Sequence, residues 1–207
     1  MPIDMRLLNE IFPGLEKLRI EGIPDWSEFN NPWEILQKTQ GGLLHQLSER
    51  IGEDGVYIHE SALVADCVSI EGPSFVGPES VIRHGAYLRK GSWICEGAIV
   101  GHSSEIKNSI LLPGSKAPHF NYVGDSILGI NVNLGAGAKL SNVRNDRNIV
   151  LVTMSDGERI ETSTNKLGSL IGDGSQIGCN VVANPGTIVS PNSMISPNET
   201  ISGWYEN

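Results

Sequence analysis

The chain has 207 residues, of which 39% are hydrophobic and 19% charged, with a formal net charge of −9. That length suits one domain with a full core and a small appendage. The acidic balance argues against a general nucleic-acid binder, although a few local Lys and Arg still suffice for an anionic small substrate, and no apolar run is long enough to span a bilayer, so no membrane partner is expected.

The opening stretch, MPIDMRLLNE, lacks the basic n-region and apolar h-region of a signal peptide. Cys67, Cys95 and Cys179 lie far apart without a CxxC pair. They read as reduced thiols of a cytoplasmic protein, not as a disulfide frame or zinc site. Residues 1–55 form a helical N-terminal segment in this reading. MRLLNEIF and PWEILQKTQGGLLHQLSERI have helical spacing, and Pro32 suits a first helical turn. Trp26, Phe29 and Trp33 are its expected anchors, against the first coil or a neighbouring subunit.

From residue 56 the pattern changes. Every sixth residue from Ile58 onward is aliphatic: Ile58, Val64, Ile70, Val76, Ile82, Leu88, Ile94, Val100, Ile106 and Leu112. Glycines recur between them, among them Gly72, Gly77, Gly85, Gly91 and Gly97. A 3.6-residue period cannot keep every sixth position on one face, and plain alternation needs no glycines. Period six fits a short strand plus a corner, with the aliphatic side chain pointing to one axis. Three hexads make a triangular coil, so positions 18 apart stack into a continuous core. The expected class for 56–207 is therefore all-β, a parallel β-helix.

The phase resumes with Leu128, Leu134 and Leu140, and again with Ile171, Ile177, Ala183, Val189, Ile195 and Ile201. The first break, 113–122 (PGSKAPHFNY), predicts a loop leaving the prism, because Leu112 to Leu128 is 16 residues and six does not divide it. The second, 143–168, predicts a β-arm, since NIVLVTM and ERIET flank Ser155-Asp156-Gly157.

Segments that break a regular pattern are where function is sought. The first break holds Lys116, His119, Asn121 and Tyr122. A histidine can take a proton from an incoming nucleophile near neutral pH. Arg89 and Lys107 are 18 apart, so they stack on one edge, where two cations suit a phosphate. Asn133, Gly135, Ala136 and Gly137 offer small residues and open backbone for a thin cofactor arm or an oxyanion-binding N–H. Each feature also has a plainer reading: a solvated loop histidine, solvated edge charges, glycines that only turn corners. Their conjunction around one break favours function.

Residues 87–142 contain GSK-x-x-H-x-x-Y-x-G-D followed by LG-x-N-V-N-x-GAG. This stretch resembles the acetyltransferase domain of the bifunctional glucosamine-1-phosphate N-acetyltransferase / N-acetylglucosamine-1-phosphate uridyltransferase family. The later SNVRNDRN and STNKLGSLIGDG are similar to archaeal sugar-1-phosphate nucleotidyltransferase/acetyltransferases. The resemblance implies a left-handed β-helix, a homotrimer, acetyl-CoA as co-substrate, an amino-sugar phosphate acceptor and no metal. It implies His119 as general base and Asn142 near the amine and reacting carbonyl. Arg89, Lys107, Tyr122 and Asn133 match substrate contacts, and Ala136 and Lys166 match coenzyme contacts. Residues 1–57 carry no counterpart of the family's glycine-rich nucleotide loop, so uridyl transfer is not expected. Two other readings compete. One is a non-catalytic sugar-phosphate-binding or assembly protein. The other is a γ-type carbonic anhydrase, suggested by His84 and His102 at 18-residue spacing but lacking that family's H-x4-H pair.

Overall fold

One aliphatic side chain per hexad reaches a common axis only if the chain bends after every short strand. In the computed structural model, which describes residues 6–18 and 22–206, it does so. Short parallel strands stack into three sheets of eight, seven and seven strands, a solenoid of about eight turns. The fold is the expected parallel β-helix. Successive coils pair in register, as in Val64↔Ile82 in the second sheet and Ile70↔Leu88 in the third. Val76, Ile82, Leu88, Ile94, Val100 and Ile106 are buried along the axis, followed by Leu128, Leu134, Leu140, Ile171 and Ile177.

The register departs from the sequence reading at one place. Leu111, not Leu112, continues the inward column, since it pairs with Ile94 on one side and Leu128 on the other. Leu112 turns the opposite way and joins a second core outside the prism. The loop expected at 113–122 does not leave the prism: Lys116–His119 and Tyr122–Gly124 are ladder strands. What breaks the phase is two shortened corners. Inward positions run Ile106, Leu111, Ala117, Val123, Leu128, so two intervals hold five residues instead of six. Each shortened corner carries a non-glycine residue in the left-handed region, Asn108 at φ 44° and Asp125 at φ 46°. Asn and Asp tolerate that conformation better than most residues, and it turns the chain sharply.

The insertion between Leu140 and Ile171 is an antiparallel ribbon, Leu151–Thr153 against Arg159–Glu161. Its turn includes Gly157 at φ 88°. Val150, Val152 and Leu167 anchor its base in the second core.

That second core forms between the N-terminal segment and the outward side of the first sheet. The segment comprises an α-helix at Arg6–Ile11, 3-10 turns at Leu15–Lys17 and Pro32–Leu36, and an α-helix at Leu43–Ile51. Of the predicted helix MRLLNEIF, Met5 lies outside the described residues. The second predicted helix divides at Gly41 (φ 75°) and Gly42. Leu8, Ile11, Phe12, Trp26, Trp33, Leu43 and Leu47 pack on the outward-facing Phe75, Trp93, Ile110, Ile127, Leu170 and Ile188. Removing each such side chain from water contributes about 1.5–3 kcal/mol. Trp93 Nε1 donates to Gly22 O at 2.7 Å. Asp173 ties the segment to the prism, accepting the N–H of Gly14 at 2.8 Å and of Ile130 at 2.7 Å. Among the described residues no helix is long and apolar enough to cross a membrane.

Candidate active site

With the first sheet covered, chemistry falls to the other two. Along the third sheet, outward residues form two columns. Tyr87 pairs with Glu105 and Glu105 with Tyr122, while Lys107 pairs with Gly124. Arg89 occupies the place one coil before Lys107, donating its N–H to Ile106 O.

These charges are paired. Arg89 Nη1 donates to Glu105 Oε1 at 2.8 Å and its guanidinium lies 5.8 Å from the Tyr87 ring centre. Hydrogen bonding to Glu105 raises the Arg89 pKa further, so it stays a cation. The Tyr87 hydroxyl donates to Glu71. Lys107 Nζ lies 3.5 Å from Asp125 Oδ2. Asp125, only 5% exposed, is the hub. It also accepts Asn108 Nδ2 at 2.8 Å and Asn142 Nδ2 at 2.5 Å. The Tyr122 hydroxyl closes the chain, donating to Asn142 Oδ1 at 3.4 Å. Burial raises the Tyr122 pKa, so its hydroxyl stays protonated.

Gly124 makes this arrangement possible. A Cβ there would sit 2.6 Å from the Tyr122 hydroxyl and 2.9 Å from Asn142 Nδ2. The returning strand beyond the ribbon then closes the cluster from behind. Leu167 N–H donates to Asn142 O at 3.0 Å and Gly168 N–H to Asp125 O at 2.8 Å. Lys166 is exposed on the rim of a cavity of about 410 Å³ shared with Lys38, Asn108, Asp125 and Thr164.

His119 stands apart, at the end of its second-sheet strand, exposed and paired in register with His102. The buried Asn121 fixes the corner behind it. Its Oδ1 accepts His119 N–H at 3.0 Å, and its Nδ2 donates to Gly135 O at 2.8 Å. His119 O accepts Gly137 N–H at 2.9 Å, which puts Ala136 one coil beyond the histidine. Asn133 pairs with Lys116 in the same sheet. The eight candidates therefore divide. Arg89, Lys107, Tyr122 and Asn142 share the third-sheet cluster; His119, Asn133 and Ala136 lie on the second sheet and its exit corner; Lys166 sits on the cavity rim. Sequence reasoning gave no role to Asp125, Glu105, Gly124 or Asn121, although Gly124-Asp125 stood inside the motif. A small residue and an acid in sequence do not reveal that one is a gap and the other a hub.

His84 and His102 stack, with ring centres 4.3 Å apart and planes at 30°. His102 Nδ1 lies 3.0 Å from His84 O. Among the described residues no three His, Cys, Asp or Glu side chains are grouped to hold a metal ion.

Residues 70–200 match the family described as the GMPPB C-terminal domain. The chain belongs to that family. It is also 34% identical over 176 residues to the bifunctional sugar-1-phosphate nucleotidylyltransferase/acetyltransferase of Sulfurisphaera tokodaii, covering 78% of this chain and 42% of that protein. It is 35% identical over 169 residues to bifunctional protein GlmU of Methanocaldococcus jannaschii, covering 78% and 41%. Against GlmU of Methanococcus vannielii it is 32% identical over 200 residues, covering 88% and 46%. The chain thus spans less than half the length of these curated relatives, and its match agrees with the GlmU-type acetyltransferase resemblance read from residues 87–142.

Proposed function

We propose that this protein transfers the acetyl group of acetyl-CoA to the amine of an amino-sugar phosphate such as glucosamine-1-phosphate. The observation that carries the reading is the third-sheet cluster. Two cations one coil apart, Arg89 and Lys107, stand beside the linked Tyr122, Asn142 and Asp125. Each cation has donors left over, since a guanidinium carries five N–H and an ammonium three. Arg89 and Lys107 take the phosphate, while Tyr122 and Asn133 contact the sugar.

His119 is the general base. As the amine nitrogen attacks the thioester carbon, the C–N bond forms and His119 accepts the amine proton. The tetrahedral intermediate then collapses, the C–S bond breaks, and the leaving sulfur takes a proton to give free coenzyme A. The oxyanion needs a preplaced donor. Gly135, Gly137 and Ala138 already donate their N–H groups inside the prism, to Ile177, His119 and Gly135. Ala136 N–H is the remaining donor of this stretch, at the position matched to the thioester. Lys166 steadies the coenzyme from the cavity rim. The assembly is a homotrimer in which neighbouring prisms complete each site. Its packing face includes the exposed Leu63 and the apolar Val81 and Ile99 of the second sheet.

The test is thiol release from acetyl-CoA by the full chain, with a panel of amino-sugar phosphates, their unphosphorylated forms and their hydroxyl analogues. Turnover that requires both the amine and the phosphate is the expected result. Intact trimers that release no thiol with any acceptor would leave the non-catalytic sugar-phosphate-binding reading in its place.

A further inference from the structure

The third-sheet cluster contains a buried carboxylate to which the reaction above gives no task. Three side-chain donors reach Asp125, from Lys107, Asn108 and Asn142. An ionised carboxylate only accepts hydrogen bonds. The Asn142 carboxamide must therefore turn its NH2 toward Asp125 and its Oδ1 toward the Tyr122 hydroxyl. The main chain holds both residues in place through Leu167 and Gly168, and Gly124 leaves the gap across which Tyr122 reaches.

We propose that Asp125 is a positioning residue that fixes the Asn142 carboxamide so that an oxygen, not an NH2, faces the acceptor, which suits the site to an amine and not to a hydroxyl. The proposal rests on the acetyl-transfer reading and assigns Asn142 to the amine instead of the thioester carbonyl. Its chemistry is a count of hydrogens. A neutral amine brings two N–H groups and a lone pair. The lone pair goes to the carbonyl carbon, one hydrogen to the base and the other to Asn142 Oδ1. A hydroxyl has one hydrogen, which the base takes, so Asn142 Oδ1 keeps the Tyr122 hydroxyl as its donor and lacks the one the amine supplies. A site built to hydrogen-bond a substrate N–H discriminates against the analogue without it.

An exchange of the two side chains tests this. Asp125→Asn leaves two carboxamides face to face, so the amide at 142 can turn over and show its NH2. Thiol release with acetyl-CoA and glucosamine-1-phosphate is expected to lose about 10–100-fold in kcat. KM for acetyl-CoA stays near wild type, while the melting temperature falls because Lys107 and Asn108 lose a charged acceptor. Combining Asp125→Asn with Asn142→Asp reverses the pair. The amide at 125 then donates to the carboxylate at 142, an oxygen again faces the acceptor, and about tenfold of the rate returns. Wild-type kcat in Asp125→Asn, or an exchange no faster than that single variant, overturns the proposal. If the wild-type protein itself releases no thiol, the acetyl-transfer reading fails separately. Orientation is then read from the Asn142 side-chain NH2 signals by NMR. Slow-exchanging, carboxylate-shifted protons that vanish in Asp125→Asn uphold the positioning role, and signals unchanged by the substitution refute it.

Discussion

The first and third sheets present the same aliphatic column to the axis and opposite surfaces to the outside. Outward from the first sheet stand Phe75, Trp93, Ile110 and Ile127, sealed beneath the chain's own N-terminal segment. Outward from the third stand Tyr87, Glu105, Tyr122, Arg89 and Lys107, with Arg89 bonded to Glu105, Tyr87 to Glu71, Tyr122 to Asn142, and Lys107 paired with Asp125. The inward repeat is a scaffold and says nothing of use. Use is written in the outward columns, where one face is made dry enough to hold an appendage and another keeps charge at its surface.

Substitutions that act on one face and spare the other sharpen this contrast. The largest expected effect is on the covered face. Trp93→Ala removes a ring that is 2% exposed, tilted at 37° against Phe75 with centres 5.3 Å apart, and bonded to Gly22. Urea titration should show a loss of about 3–5 kcal/mol, while kcat of the folded fraction is unchanged. On the third face, Lys107→Met should raise KM for the phosphate-bearing acceptor about 10–100-fold, as expected for a charge-assisted hydrogen bond worth about 1.5–3 kcal/mol. An unphosphorylated acceptor should be nearly indifferent to it. Gly124→Ala drives a methyl into the Tyr122 hydroxyl and Asn142. The expected cost is about 1–3 kcal/mol of strain, read as a lower kcat with a modest fall in melting temperature.

A smaller effect depends on pH. Burial holds the Asp173 carboxyl above its usual range, although the N–H groups of Gly14 and Ile130 oppose the shift. A folded pKa above the unfolded one gives stability that is complete below the unfolded value and lost as pH rises through the folded one. Asp173→Asn should therefore flatten the change in stability across the acidic range above about pH 4. Parallel curves for wild type and variant would show that this tie between segment and prism does not sense protonation.

Much of the scaffold was legible because inward aliphatics recur at an interval that no helix or simple strand shares. Ile171 to Ile201 continue the column as read. The break at 113–122 was misread for a physical reason. Two corners each lose one residue, and Ile110-Leu111-Leu112 is apolar throughout, so a slip of one position leaves hydropathy unchanged. Left-handed Asn108 and Asp125 mark the contraction, but such residues turn ordinary corners too, as Asn131 and Asn180 do. The candidate site drew notice where residue type implies chemistry, in His119, Arg89, Lys107 and Tyr122. It was not legible where a role comes from burial, as for Asp125 beneath Asn142, or from a missing side chain, as at Gly124.

The central claim is that this prism performs acyl transfer with His119 as base. It is tested most directly by kcat for thiol release from acetyl-CoA in His119→Ala beside wild type. His119 is exposed, so the variant should melt as wild type does and form the same assembly, yet lose about 10²–10⁴-fold in rate. A variant that folds, assembles and turns over at the wild-type rate would contradict the account.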